Sequence, residues 1–355
     1  MATLAATAYE DGGRPISRKL SIALDGARAI AAFYVFLHHV VNARLEPASP
    51  PLLMRFGQEA VLVFFLLSGS VIFANERTRA LRPRGYYLRR LRKIYPPMLL
   101  AIVVSTLVAL AQGQFAALFD ARQLAATLLN LQDISKLKPG VIADPYMLND
   151  PLWSLAYEAL FYAIFPLVLI AWTRWPAYTE HAIGLGCCLL YVLFAMMPGH
   201  FLLVGAYFLV WWCGAMAARA WQADGTNVLA MARSYAWLLA LCAVAAVVVK
   251  FVGYRGLGYY PVLQLRHFAM GALILALFFG PLGRVLAGWL QPLGPVAKWV
   301  ASISYGVYVL HYPLLVQWGY SYSLTGLVVS LALLLALAWW VERVLPRYLP
   351  KAPRT

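Results

Sequence analysis

Ten stretches of about 20 mostly apolar residues recur along this chain, near residues 20–41, 57–75, 94–112, 152–172, 181–198, 200–221, 234–252, 262–280, 299–318 and 323–342. About 20 residues at 1.5 Å each cross the roughly 30 Å hydrocarbon core of a bilayer. Only helices or closed barrels satisfy every backbone polar group at that depth. The expected fold class is therefore an all-α integral membrane protein with about ten transmembrane helices. Composition agrees: 63% of residues are hydrophobic and 12% charged, whereas soluble domains carry about 25% charged residues. Connections are mostly short and no internal repeat divides the chain. The reading is one membrane domain over 20–342 between tails 1–19 and 343–355, with no attached soluble domain. Glu10 and Asp11 stand where a signal peptide would carry its apolar core, so the first run reads as a retained span.

The formal charge of +15 would suggest a nucleic-acid partner in a soluble protein, but its distribution points to a membrane instead. Ten spans place both termini on one side. The loops and tails of that side hold 19 Lys and Arg, and those of the other side hold 6. Such an asymmetry marks the cytoplasmic face, and the chain reads as a multi-pass protein of the inner (plasma) membrane with both termini inside. The long loop 113–151 then faces outward, and its polar end (Lys138, Asp144, Asn149, Asp150) can cover a site from that side. Cys187, Cys188, Cys213 and Cys242 lie in apolar stretches without metal-ligand spacing, so no metal is expected.

Ionisable groups at membrane depth cost several kcal/mol each and are functional candidates by default. They are Asp25, Arg28, His38, His39, Glu59, Glu158, Arg219, Lys250, Arg266, His267, His311 and Glu342. Arg219, Lys250 and Glu342 sit near span ends, where they can snorkel. Asp25 and Arg28 are three residues apart and can neutralise each other. Arg28 lies about 12 Å into the first span, and His39 about 16 Å beyond it toward the outside. Glu158, counted from Leu152, falls about 9 Å below the outer boundary, near the depth of His39. The two can meet as a base and its orienting partner; the structural alternative is a buried ion pair tying two helices together. Arg89, Arg90, Arg92 and Lys93 precede Ile94-Tyr95-Pro96-Pro97. Part of this cluster is ordinary cytoplasmic anchoring, yet four cations at a helix start also suit a phosphate-rich ligand. A Walker loop and a Gly-rich Rossmann turn are both absent, so side chains must hold any such ligand.

These residues are similar to a known family. Leu24-Asp25-Gly26-Ala27-Arg28-Ala29-Ile30-Ala31-Ala32, followed by His39, resembles the opening signature of the acyltransferase 3 family of membrane O-acyltransferases. Four further matches follow in order: Phe64-Phe65-Leu66-Leu67-Ser68-Gly69, the basic run ending in Ile94-Tyr95-Pro96, Leu152-Trp153-Ser154-Leu155-Ala156-Tyr157-Glu158, and Ile303-Ser304-Tyr305-Gly306-Val307-Tyr308-Val309-Leu310-His311. The resemblance implies transfer of an acyl group, commonly acetyl from acetyl-CoA at the cytoplasmic face, to a hydroxyl of an extracytoplasmic carbohydrate or lipid-linked glycan. It matches Arg28 and His39 to the family's Arg-x10-His, and Ser154 and Glu158 to its Ser-x3-Glu. It assigns His39 as base, Glu158 as its orienting partner, and Arg28 with Arg89, Arg90, Arg92, Lys93 and Tyr95 to the donor. The family's RxxR can be Arg89 with Arg92, or Arg90 with Lys93 by register. Leu62 stands where an acidic residue is common, with Glu59 nearby, and Ala159 replaces a second glutamate. Asp25, His38, Glu59, Arg266 and His311 complete the candidates. Two competing classes are a transporter or flippase, which predicts repeats and paired broken helices, and a scaffold subunit, which needs no buried His and Glu.

Overall fold

The computed structural model describes residues 18–44, 54–81, 83–223, 229–279, 285 and 288–350. Each apolar run forms a helix: α1 (Arg18–Arg44), α2 (Gly57–Ala80), α3 (Pro83–Ala111), α4 (Trp153–Arg174), α5 (Pro176–Met196), α6 (His200–Ala223), α7 (Leu229–Val252), α8 (Val262–Phe279), α9 (Gly294–His311) and α10 (Leu324–Trp339). Nine are long and apolar enough to cross a bilayer, and α8 is the shorter tenth. Among the described residues there is no strand, only an isolated bridge between Gln132 and Ala143. Most of the expected tail 1–19, the end of the tail 343–355 and residue 280 lie outside the described residues.

Helix boundaries differ from the apolar runs where good helix formers precede them. The third helix begins at Pro83 rather than at 94, because Leu, Arg and Lys propagate a helix well and a proline suits its first position. The basic cluster therefore lies inside α3 and not ahead of its start. The fifth helix begins at Pro176 and takes Glu180 into the bundle, where it is fully buried. Arg219 from α6 and Arg233 from α7 converge on it at 3.5 and 3.4 Å, and the Ser234 hydroxyl donates to it at 3.1 Å. Arg219 is thus an ion-pair partner, which corrects the snorkelling reading. Apolarity alone hid the pair, because Glu180 lies just before its run.

The central post is α6, with 83% of its membrane window buried against 22% for α7. It lies backbone to backbone on α2. A Cβ on Gly69 would sit 2.0 Å from the Trp211 carbonyl oxygen, and one on Gly214 would sit 2.1 Å from that of Leu66. The Ser70 hydroxyl donates to the Gly214 carbonyl across this contact at 2.7 Å. Small residues permit such an approach, and in lipid close packing supplies much of the association energy. Trp211 and Trp212 on α6 fill the surrounding core.

Between α3 and α4 the chain folds over one end of the bundle, the end expected to face outward, through two short helical segments, Phe115–Leu118 and Ala121–Leu128. This cap is pinned by a buried pair: Lys138 Nζ donates to Asp133 Oδ1 at 2.5 Å, and the Tyr157 hydroxyl donates to Asp133 Oδ2 at 2.7 Å. The Lys138 ammonium lies 4.0 Å from the centre of the Trp153 ring. Burial pushes its pKa below the usual lysine value, against the pull of Asp133.

Because no space exists at the α2–α6 contact, Gly214→Val should destabilise the bundle by about 3 kcal/mol or more, at or beyond the upper end of overpacking costs. Thermal loss of monodisperse elution in detergent should occur at a lower temperature for Gly214→Val, and an unchanged profile would contradict the contact.

Candidate active site

Two of the cavities in the bundle hold most of the candidate residues, and they are named inner and outer after the orientation expected from the loop charges. The inner one, about 520 Å³, is lined by Arg28 of α1, by Arg89, Arg90, Arg92 and Lys93 of α3, and by Ser154 and Glu158 of α4. Tyr305 and Tyr308 of α9 and Glu342 just after α10 close it. Both readings of the RxxR pair thus face one space. The cations are held in place by neighbours. Arg89 grips Glu76 through two donors, Nε at 2.9 Å and Nη2 at 2.6 Å, and Arg90 Nη2 reaches the same carboxylate at 3.2 Å. Arg92 donates to the Pro346 carbonyl at 2.8 Å, and Lys93 pairs with Glu342. Arg28 and Lys93 act electrostatically on Glu158, and the hydroxyls of Tyr162 and Ser68 face its carboxyl. Those two hydroxyls bond each other at 2.9 Å.

The outer chamber, about 190 Å³, lies under the cap and is lined by His38, His39, Asp150, Trp153 and Tyr308, among others. The His39 ring packs against three neighbours: His38 at 4.8 Å, Tyr312 at 5.2 Å and His311 at 5.3 Å between centroids. Asp150 accepts from Lys136 Nζ at 3.0 Å and from the Tyr312 hydroxyl. His311 Nδ1 donates to the Val307 carbonyl at 3.2 Å, and its second ring nitrogen is Nε2. That Nε2 is buried with no partner among the described residues.

The expected meeting of His39 and Glu158 is therefore not what the structure presents: they line different chambers. The expected depths already differed by about 6 Å, since His39 is two residues from the end of its run and Glu158 six residues from the start of its own, and the short turn over Asp150–Leu152 adds about 3 Å more. Asp150 is the carboxylate at the His39 level, and Glu158 lies about 12 Å farther along at 1.5 Å per residue. Tyr95 also departs from expectation. Its hydroxyl donates to the Leu128 carbonyl at 3.0 Å and accepts from Asn130 at 3.3 Å, which ties α3 to the cap and not to the basic chamber.

The remaining candidates have structural partners. Glu59 pairs with Arg266 at 2.5 Å, and Arg266 also donates to the carbonyls of Leu257 and Arg55. Asp25 is half-buried beside Arg28 and Lys298. His38 Nδ1 donates to the Met54 carbonyl at 2.5 Å, anchoring the segment before α2. Among the described residues no cluster of metal-ligating side chains forms. Sequence reasoning passed over Tyr308, Tyr312 and Lys136, although Tyr308 stands inside a quoted motif. Its signal was its spacing, three residues before His311 on one helix face.

A family model described as an acyltransferase domain, that of the acyltransferase 3 family, matches residues 21–343. The chain belongs to this family. Among curated proteins it is similar to Acyltransferase MdmB of Streptomyces mycarofaciens, 33% identical over 41% of this chain and 38% of that protein. It is also similar to Nodulation protein 10 of Rhizobium leguminosarum bv. viciae, 27% identical over 34% of this chain and 35% of that protein. A Staphylococcus aureus (strain COL) protein provisionally named an O-acetyltransferase is 26% identical over 41% of this chain and 24% of its own length. The matched region thus spans well under half of each relative. No solved structure matches the chain.

The two adjacent histidines should separate cleanly. His38→Ala removes the bond to Met54 and should cost about 1 kcal/mol of stability while leaving thioester turnover within a few fold. His39→Ala should leave the melting temperature nearly unchanged and abolish turnover. Melting curves and release of free CoA thiol from acetyl-CoA check both, and the reverse pattern would shift the assignment by one residue.

Proposed function

We propose that this protein transfers an acyl group, acetyl first among the candidates, from acyl-CoA in the inner chamber to a hydroxyl of a carbohydrate or glycolipid in the outer one. One observation carries the reading: a cation-lined chamber and an imidazole-lined chamber share a wall inside one membrane bundle. Five cations line the inner space against two carboxylates, Glu158 and Glu342. Such an excess in a low-dielectric setting favours a polyanion such as the phosphates of CoA. The loop charges support a cytoplasmic donor and an extracytoplasmic acceptor.

In this mechanism His39 takes the proton of the acceptor hydroxyl as its oxygen attacks the thioester carbonyl. A C–O bond forms, the C–S bond breaks, and the proton passes to the departing CoA thiolate. General-base help of this kind typically contributes about 10² to 10⁴ in rate. His311 and Tyr312 fix the His39 ring by packing. Glu158 belongs with the donor: it balances Arg28 and holds the Tyr162 and Ser68 hydroxyls in the inner chamber. Ser154, whose hydroxyl lies 3.0 Å from that of Tyr308, stands where the thioester would arrive.

Purified protein incubated with radiolabelled acetyl-CoA should release free CoA thiol, whereas saturable uptake into vesicles without thiol release would favour a transporter. Neutralising Arg90 and Lys93 together should weaken CoA binding by about tenfold or more, given roughly 1.5–3 kcal/mol for hydrogen bonds to charged groups. The loss should shrink as salt rises. Calorimetry in detergent at two ionic strengths checks this, and an unchanged affinity would reduce the cluster to a topology signal.

A further inference from the structure

One side chain belongs to the walls of both chambers. Among the described residues that line either space, Tyr308 alone lines both. Its hydroxyl lies 3.0 Å from Ser154 Oγ, its ring faces Phe64 at 5.7 Å, and it is 6% exposed. The Ser154 hydroxyl also lies 3.5 Å from the Pro151 carbonyl, and either hydroxyl of the Tyr308–Ser154 pair can be the donor.

Three helices each place one functional group on either side of this shared wall. Arg28 and His39 do so on α1, Glu158 and Asp150 on α4 and the turn before it, and Tyr305 and His311 on α9. Tyr305 faces Lys93 and His311 faces His39, so Tyr308 lies between the levels. Reacting atoms must approach to about 3–3.5 Å, yet the cations and the imidazole occupy separate spaces. Something has to pass the tyrosine.

We propose that Tyr308, latched to Ser154, is the gate through which the donor's acyl group enters the His39 chamber, and that it sets the acyl length the protein accepts. This rests on the two-chamber reading above. A rotation of one side chain breaks one hydrogen bond between neutral hydroxyls, which is weak enough for an arriving thioester to displace. While closed, the ring keeps outer water from the thioester. The outer space of about 190 Å³ must hold both acyl group and acceptor hydroxyl, which favours a short chain.

The test uses the full chain in detergent with S-ethyl-, S-butyl- and S-hexyl-CoA as non-hydrolysable probes, and acetyl-CoA without acceptor. In the unsubstituted protein affinity should not rise with alkyl length. In Tyr308→Ala, where the chambers join, it should rise by up to about fourfold per added methylene. Tyr308→Phe and Ser154→Ala keep the wall but lose the latch, and each should raise acceptor-independent hydrolysis of acetyl-CoA by about two- to tenfold. The Phe variant removes a single oxygen and carries the test if Tyr308→Ala does not purify folded. An unchanged length profile in Tyr308→Ala, or hydrolysis at the unsubstituted level in both latch variants, overturns the gate while leaving the donor reading standing. Failure of the unsubstituted protein to bind S-ethyl-CoA overturns the donor reading, and the gate with it.

Discussion

A charge stranded in hydrocarbon is the most expensive group this chain could carry, and the bundle is arranged around that cost. Most of its buried carboxylates meet a cation from another element. Glu59 of α2 meets Arg266 of α8, and Glu76 of α2 meets Arg89 and Arg90 of α3. Glu180 of α5 draws in α6 and α7, Glu342 beyond α10 meets Lys93 of α3, and Asp133 holds Lys138 within the cap. Buried pairs of this kind add little stability over apolar packing, but losing one partner costs about 3–5 kcal/mol. Their main consequence is therefore register: a helix slipped by one turn would strand a charge. Close packing at Gly69 and Gly214 sets the distance between helices, and the ion pairs set which faces meet.

The same constraint explains why the inner chamber can attract a polyanion without collapsing when empty. Four of the five cations that line it, Arg89, Arg90, Arg92 and Lys93, have a second anchor. Glu76 and Glu342 neutralise part of the charge, and the Pro346 carbonyl holds Arg92 without neutralising it. A guanidinium carries five donors, so a grip on Glu76 leaves others for a ligand. The chamber is positioned by its own salt bridges and keeps a positive excess. Held cations lose less side-chain entropy on binding than free ones would.

The ten helices were legible in the sequence because hydrocarbon thickness dictates their length, and the five motifs located the chambers' residues because each helix supplies a few inward-facing groups. Depth and direction were harder. Counting residues from a span boundary gives height in the membrane only coarsely: the counts for His39 and Glu158 already differed by about 6 Å, and the turn at Asp150 added about 3 Å. Counting also says nothing about which way a side chain faces around the helix axis. Tyr95 stands three residues past Arg92, close to it around the helix axis, yet its hydroxyl is taken by Leu128 and Asn130 of the cap and not by the cations. Glu180 escaped notice for a different reason: an apolar scan discards a charged residue at the edge of a run, although that is where a buried charge can be reached by arginines from neighbouring helices.

Two of the reaction's inferred parts stand where a helix departs from regular winding. The ninth helix ends at His311 and continues as a wider π-type turn over Tyr312–Gln317, and the tenth does the same at Trp340–Val344, which contains Glu342. Such wide turns are uncommon and recur at functional sites. Here the first lets His311 and Tyr312, neighbours in sequence, both pack on the His39 ring while the chain turns away beneath the cap. The second brings Glu342 back toward α9, where it accepts from the Gly306 amide at 3.2 Å while pairing with Lys93. Both turns therefore bear on α9, the helix that carries Tyr308. The outer turn fixes its His311 end against the base, the inner one fixes its Tyr305 end against the cations, and the one aromatic side chain between them is the proposed gate.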